Sequence, residues 1–305
     1  MSRFRGFAVA GALAALLTAV LGSWVRINGA GLTCPDWPLC HGALVPVFSG
    51  GVVLEWTHRL SALAIVPLVA GTLWTGWPLR RRFAGLGATL AALAAIFAVQ
   101  VVLGALTVRL ANSPASVTIH WATAMALLAA FVVAATLTFA GTGTPERRAA
   151  LEGPAAILAI AALLAFATMC AGAYVSSSHA GLACNGLPLC SGTLLGMTGA
   201  QHAQMLHRIF AAMLAVLVGI ALGRTYAPRA RAALLAATAL IALQIALGSA
   251  NVLWALPAPL RELHAVVATL IFIALALATA LAALDPAFAT DRIAVRAQPA
   301  GAPGS

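Results

Sequence analysis

The sequence predicts an all-α integral membrane protein with eight membrane-spanning helices. Of its 305 residues, 62% are hydrophobic and only 8% are charged, and the mean hydropathy is +1.00. A soluble core cannot bury that much apolar surface. Apolar runs of about 20 residues, the length that a helix needs to cross the hydrocarbon, recur along the chain. They lie at 6–25, 54–77, 84–106, 117–140, 154–175, 201–223, 232–252 and 261–284.

The distribution of arginines predicts the orientation of these spans. Lys and Arg number 17 against 7 Asp and Glu. With eight spans both termini lie on one side, and most arginines fall on that side, which the positive-inside rule assigns to the cytoplasm. We therefore expect an N-in, C-in topology and no nucleic-acid partner. These arginines are Arg3, Arg5, 80–82, Arg147, Arg148, Arg224, Arg229, Arg231, Arg292 and Arg296.

The chain contains a tandem repeat of a four-helix unit. "TCPDWPLCHG" (33–42) aligns with "ACNGLPLCSG" (183–192) at an offset of 150 residues, and "EWTHR" aligns with "QMLHR". Further on, "QVVLGAL" aligns with "QIALGSA". Because each unit has an even number of spans, the two copies run in the same direction as parallel bundles. The expected parts are a bundle at 1–140, a cytoplasmic linker at 141–153, a bundle at 154–284 and a disordered tail at 285–305.

Each repeat carries two cysteines in its outer loop. Five residues separate Cys34 from Cys40, and five separate Cys184 from Cys190. Because the loops face an oxidising compartment, we expect the disulfides Cys34–Cys40 and Cys184–Cys190. A shared zinc ion would require the two pairs to meet across the halves. The spacing leaves open whether these disulfides are structural or redox-active.

Four histidines lie at similar depth in the even-numbered spans: His58, His120, His207 and His264. Ionisable side chains inside a membrane mark functional sites. Two imidazoles on facing helices can ligate one iron, so each half is predicted to hold a haem. The spacing of Glu55 and His58 also occurs in di-iron carboxylate bundles, but Gln204 replaces the acid in the second half, which leaves too few ligands.

The difference between Glu55 and Gln204 separates the roles of the halves. A carboxylate can accept a proton and an amide cannot, so we assign the reaction to the first half, with Glu55 as the catalytic residue. Arg59 and Arg208, next to the histidines, are candidate partners for haem propionates. A salt bridge between Glu55 and Arg59, and arginines that only reach the membrane interface, are the structural alternatives.

Together, "EWTHR", the "LHR" repeat, the four histidines and the paired cysteines resemble the haem A synthase family. The resemblance implies an oxidoreductase that converts the ring D methyl group of haem O, through a hydroxymethyl intermediate, to the formyl group of haem A. It implies a role in assembly of aa3-type cytochrome c oxidase. It also implies that His58 and His120 face haem O, that His207 and His264 hold haem B, and that a farnesyl-transferring haem O synthase supplies the substrate.

Several expectations follow from this resemblance. With both axial iron positions filled by histidine, electron removal followed by water attack is favoured, with Glu55 as proton acceptor and an unidentified electron acceptor. The expected location is a bacterial inner membrane, with the cysteine loops on the outer face. The alternatives are a bis-histidine cytochrome b that only carries electrons, and a quinone-linked thiol oxidoreductase that uses the cysteine pairs.

Overall fold

The computed structural model describes residues 1–140, 153–224 and 226–284, and this part of the chain folds into eight long α-helices. All eight are long and apolar enough to cross a membrane, which confirms the predicted multi-pass, all-α membrane fold. The helices are α1 (Ser2–Ile27), α2 (Val52–Gly76), α3 (Leu86–Arg109), α4 (Pro114–Ala140), α5 (Pro154–Ser177), α6 (Gly199–Leu222), α7 (Pro228–Leu253) and α8 (Ala258–Ala283).

Most helices extend a few residues beyond the apolar runs, because hydrogen bonding of the backbone continues into the more polar interface. Several of them begin at a proline, as at Pro154 and Pro228, where the missing N–H has no helical partner to lose. Helix α6 begins with a capping box, in which Thr198 and Gln201 satisfy each other's backbone N–H groups. The starts of these helices are therefore indicated by proline and capping residues as well as by hydropathy.

The two halves share one hydrophobic core. Helices α1, α4, α5 and α8 contact one another at the centre, while α2 and α3 lie outside them in the first half and α6 and α7 in the second. The central cluster includes Ala15, Phe131, Leu158 and Leu275 from these four helices. The predicted linker, apart from Gly153, and the predicted tail lie outside the described residues. Helix α2, which carries His58, packs on α1, and α6, which carries His207, packs on α5. The central helices therefore position these two histidines.

Small residues permit close contacts between helices. A Cβ atom at Gly11 of α1 would overlap the ring of Phe131 on α4, and one at Gly71 of α2 would meet the ring of Phe7. Phe131 is fully buried. Because lipid tails are as apolar as the helices, association depends on such close packing.

Replacing Gly11 by alanine is expected to destabilise the protein. The added methyl group collides with the buried Phe131 ring, and overpacking of this kind costs about 1–3 kcal/mol. Thermal unfolding of the detergent-solubilised protein should show a lower Tm for Gly11→Ala. The matched control is Gly6→Ala on the same helix, where nothing lies within 4 Å of the added carbon. Equal Tm values for the two variants would contradict the proposed close contact.

Candidate functional site

Both halves carry a disulfide-closed loop at the same end of the bundle, which we call the loop end. The first loop follows α1 and the second follows α5. The structure joins Cys34 to Cys40 and Cys184 to Cys190, and all four cysteines are buried. Because the cysteines are paired and buried, they are unsuited to binding a shared zinc ion. Cys170 on α5 is the free cysteine among the described residues.

Glu55, at the start of α2, is hydrogen-bonded to the first loop. Its Oε2 accepts hydrogen bonds from the backbone N–H of Cys34 at 2.8 Å and from Oγ1 of Thr33 at 3.0 Å. Its Oε1 forms an ion pair with Arg59 at 2.6 Å. The side chain is almost completely buried, with 3% exposure. The carboxylate predicted to be catalytic therefore also holds the loop, and it forms the salt bridge that was the structural alternative.

Gln204 has the same role in the second half. Its Oε1 accepts the N–H of Cys184 at 2.6 Å, as Glu55 does for Cys34. Its Nε2 donates to the carbonyl of Gly181 at 2.7 Å. The amide therefore keeps the attachment of the loop but removes the negative charge.

A second difference between the halves accompanies this exchange. The carbonyl of Gly31, which is equivalent to that of Gly181, accepts a hydrogen bond from Nδ2 of Asn112 at 2.8 Å. In the second half the repeat position of Asn112 is Leu256, whose side chain has no donor. Gln204 supplies the missing amide N–H there, so each half satisfies this carbonyl with a different residue. Loop attachment alone therefore does not require a charge at position 55.

The two predicted propionate partners also contact the loops. Arg59 and Arg208 each lie one residue after a histidine and donate to loop carbonyls. Arg59 donates to Cys34 at 2.9 Å, Asp36 at 2.6 Å and Leu39 at 2.5 Å, and Arg208 to Cys184 at 3.2 Å, Gly186 at 2.8 Å and Pro188 at 3.2 Å. Arg208 also lines the cavity described below. Much of the hydrogen-bonding capacity of both guanidinium groups is thus used on the loops.

Asp36 stabilises the tight turn of the first loop. Its carboxylate accepts hydrogen bonds from the backbone N–H groups of Gly42 at 2.8 Å and His41 at 2.6 Å. These bonds, that of Gly42 foremost, lower the pKa of the Asp36 carboxyl below its ordinary value. His41 Nε2 lies 2.8 Å from the carbonyl of Thr33. His41 is therefore part of the loop structure and lies apart from the four histidines inside the bundle.

His207 and His264 face each other in the second half. Their ring centroids are 6.4 Å apart and their planes are inclined by 74°. With metal–nitrogen bonds of about 2 Å and about 1 Å from nitrogen to ring centre, two imidazoles on opposite sides of one metal ion have centroids roughly 6 Å apart. The pair is thus spaced to ligate a single iron. His58 and His120 occupy the equivalent positions of the first half.

The hydrogen bonding of the His207 ring also suits ligation. Nδ1 of His207 lies 2.9 Å from the carbonyl of Thr168. Since a carbonyl only accepts, this contact places the proton on Nδ1 and leaves the lone pair on Nε2. The buried Nδ1 atoms of His58, His120 and His264 have no hydrogen-bond partner among the described residues. Nε2 of His264 lies 3.2 Å from Nε2 of Gln244, so a metal bound at that nitrogen would replace this contact.

A glycine of a neighbouring helix lies against each of the four imidazoles. In every case a Cβ on the glycine would come closest to Cε1 of the ring, at 2.7 to 3.3 Å. The pairs are Gly22 with His58, Gly172 with His207, Gly104 with His120, and Gly248 with His264. These glycines lie in the segments that align between the repeats, but their role was missed in the sequence because only the structure shows which residue each one faces.

The second half encloses a cavity that contains the histidine pair. Its volume is about 700 Å³, which is within the usual range for small-molecule and cofactor sites. His207 and His264 line it together with Arg26, Arg208 and Arg261. Most of the remaining lining is small or apolar, from α5 to α8. An apolar chamber with two imidazoles and several cations fits a large, flat, metal-containing ligand that bears carboxylates.

Two helices of the first half also reach this cavity. Arg26 and Ser23 of α1, and Val117 and Trp121 of α4, contribute to its lining. Trp121 directly follows His120, so it connects a histidine of one half with the chamber of the other. This contribution was also missed in the sequence, because the alignment of repeats does not show where the halves meet.

A di-iron carboxylate centre is not supported. In the ranges 1–140, 153–224 and 226–284, no three His, Cys, Asp or Glu side chains group closely enough to hold a metal ion. The histidines occur as pairs, which suits a metal that brings its remaining ligands with it, as in a porphyrin.

Comparison with known proteins agrees with this geometry. A family model described as cytochrome oxidase assembly protein matches residues 47–276. A protein of Exiguobacterium sibiricum called "Heme A synthase" is 28% identical over 264 residues, which cover 84% of this chain and 88% of the relative. Proteins of the same name from Alkalihalophilus pseudofirmus and Halalkalibacterium halodurans are 28% and 30% identical, over 70% and 64% of this chain and 73% and 65% of their own lengths. The chain therefore belongs to the COX15-CtaA family of cytochrome oxidase assembly proteins.

Proposed function

We propose that this chain is a haem A synthase, a membrane oxidoreductase that converts haem O into haem A. The observation that carries the proposal is the spacing of the imidazoles of His207 and His264, 6.4 Å apart in a cavity of about 700 Å³. Equivalent histidines occur in the other half, and relatives over most of the chain are named for this activity. A pure electron carrier would need neither the second, inequivalent site nor the buried Glu55.

The second half is the site for haem B. When bound there, haem supplies one-electron redox chemistry. His207 is held by the Thr168 carbonyl so that Nε2 faces the cavity, and His264 approaches from α8. Gln244 donates to the carbonyl of His264 at 3.0 Å and so positions the start of α8.

The first half is the site for the substrate haem O, between His58 and His120. With water as the oxygen donor, conversion of its ring D methyl group to a formyl group takes up the oxygen of water and releases electrons and protons. Ligation by both histidines would leave no open iron position for dioxygen, which supports water as the oxygen source. The electrons pass to an acceptor of unknown identity, and a haem O synthase supplies the substrate.

Glu55 is the proton acceptor of the first half. It lies one helical turn before His58 on α2, and its carboxylate is shared between Arg59 and the first loop. A proton taken up by Glu55 removes its negative charge and weakens the ion pair with Arg59. Because Arg59 also holds three loop carbonyls, proton uptake and the position of the loop are coupled.

The loop end faces the outside of a bacterial cell membrane. The opposite end carries Arg80, Arg81 and Arg82 between α2 and α3, and Arg224 between α6 and α7. The positive-inside rule supports a cytoplasmic location for that end. The disulfides at the loop end suit an oxidising compartment. Membrane lipid surrounds the apolar outer helices.

Glu55→Gln should retain bound haem but lose conversion of haem O. Removal of a general base slows a reaction by 10²–10⁴-fold, so we expect at least a 100-fold decrease. Mass spectrometry of haems extracted after coexpression with a haem O synthase measures the product. The second half shows that an amide can hold the loop, so loss of activity would report the charge. A yield of haem A like that of the wild type would refute the assignment.

The four histidines should separate into two classes. His207→Ala and His264→Ala are expected to lose haem B, because each removes one axial ligand. His58→Ala and His120→Ala should keep haem B and lose conversion. Absorption spectra of the purified variants, with haem quantified per protein, distinguish the classes. The assignment of the halves would be reversed if the spectrum of the resident haem disappeared in His58→Ala and survived in His207→Ala.

Gly172→Ala should impair haem retention through His207. Its Cβ would lie 2.9 Å from Cε1 of that ring, so the imidazole must move out of line with His264. We expect less haem B per protein and a perturbed absorption spectrum. Gly219→Ala is the control, since nothing lies within 4 Å of a Cβ there. Identical haem content in the two variants would show that the glycine does not constrain the ligand.

A further inference from the structure

We propose that Arg26 and Arg261 bind the two propionate carboxylates of the haem held by His207 and His264. Arg26 belongs to the first half and Arg261 to the second, so the cofactor of the second half is held by residues of both. This inference rests on the proposed haem site and adds its anion-binding residues. It differs from the expectation, based on sequence adjacency to the histidines, that Arg59 and Arg208 fill that role.

The two arginines lie at the loop end of the cavity. Arg26 is in the last turn of α1 and Arg261 in the first turn of α8, and both line the chamber that contains His207 and His264. Both side chains are half-buried. Arg26 and Arg261 are close enough for their charges to repel each other.

The position of Arg26 is fixed by a contact between the halves. Its Nη1 donates to Oγ of Ser176 at 2.6 Å, and Ser176 is the repeat equivalent of Arg26, at the offset of 150 residues. A contact between equivalent positions lies at the axis that relates the repeats. The repeat equivalent of Arg261 is Val117, which lines the same cavity. At each of these two pairs of equivalent positions, one half has an arginine and the other half has a neutral residue. Both arginines line the cavity of the second half.

The positive charges at the loop end of the cavity favour binding of an anion. Among the described residues the one ion pair is that of Arg59 with Glu55, so Arg26 and Arg261 are not in salt-bridge contact with an acid. Glu262 is the acid that interacts with Arg26, and neither of its carboxylate oxygens has a hydrogen-bond partner there. Arg26, Arg208 and Arg261 line the cavity, and no acidic side chain among the described residues does. This positive lining suits the carboxylates of a haem.

Hydrogen-bonding capacity separates these arginines from the other candidates. Arg59 and Arg208 donate to loop carbonyls, whereas the side chain of Arg26 donates only to Ser176 and that of Arg261 makes no hydrogen bond within the described ranges. Guanidinium groups bind carboxylates through paired N–H donors. The N–H groups of Arg26 and Arg261 that are not used inside the protein are placed to bind such an anion in a chamber that no acidic side chain of the described residues lines.

Two measurements on the purified holoprotein test the proposal. They are the midpoint potential of the resident haem and its rate of transfer to excess apomyoglobin. Arg26→Gln and Arg261→Gln should each lower the potential, because a nearby cation stabilises the added electron. Each should also release haem at least tenfold faster. Arg109→Gln is the control, since Arg109 is an exposed arginine at the same end that does not line the cavity.

Two further variants separate charge from structure. Arg26→Lys should keep a potential close to that of the wild type, and Ser176→Ala should change both measurements much less than Arg26→Gln does, because the positive charge remains. If Ser176→Ala reproduces the effect of Arg26→Gln, the role of Arg26 is to hold the two halves together through Ser176, and the proposal is wrong. If Arg26→Gln holds no haem, Arg26→Lys decides: retention of haem supports the proposal and loss overturns it.

The outcomes also distinguish this inference from the proposed function. Wild-type protein without a bis-histidine haem would contradict the haem site itself. A second outcome is that haem is present, and that its potential and release rate in Arg26→Gln and Arg261→Gln equal those in Arg109→Gln. That outcome would overturn only the propionate assignment.

Discussion

The structure depends on the close approach of helix backbones to four half-buried imidazoles. At each of them a neighbouring helix presents a glycine, and a Cβ there would come within 3.3 Å of the ring. Since the hydrocarbon offers no hydrophobic force between helices, association depends on such packing and on hydrogen bonds. The same contact that brings α1 against α2, and α5 against α6, therefore also orients the imidazoles. Helix packing and the orientation of the histidines cannot be varied independently in this protein.

The duplication preserves a framework and varies the charge within it. Glu55 and Gln204 accept a hydrogen bond from the equivalent cysteine N–H at 2.8 and 2.6 Å, so either side chain attaches its loop. Attachment of the loop therefore does not require the negative charge, which is present only in the first half. Asn112 compensates for the carboxylate by donating to Gly31, and Leu256 stands at its place in the other half. Local hydrogen bonding thus allows two equivalent sites to differ in charge.

The shared core makes the two sites parts of one unit. Helices α1, α4, α5 and α8 pack together, and as a result Arg26 and Trp121 of the first half reach the chamber of the second. Arg26 contacts Ser176 across the repeat axis. A cofactor bound in the second half would contact the helix that carries His120. The two histidine pairs are thus linked through helices that pack directly against one another.

The sequence by itself determined the eight spans, the repeat, the paired cysteines and the four histidines at one depth. These features depend on hydropathy, spacing and side-chain type, which can be read directly along the chain. Only the tertiary structure decided that Glu55 is fastened to Arg59 and Cys34, that glycines face the imidazoles, and that Arg26 crosses to the other half. Such contacts join residues from different helices. The rotation of each helix about its own axis is fixed by packing at the centre of the bundle and not by any local sequence pattern.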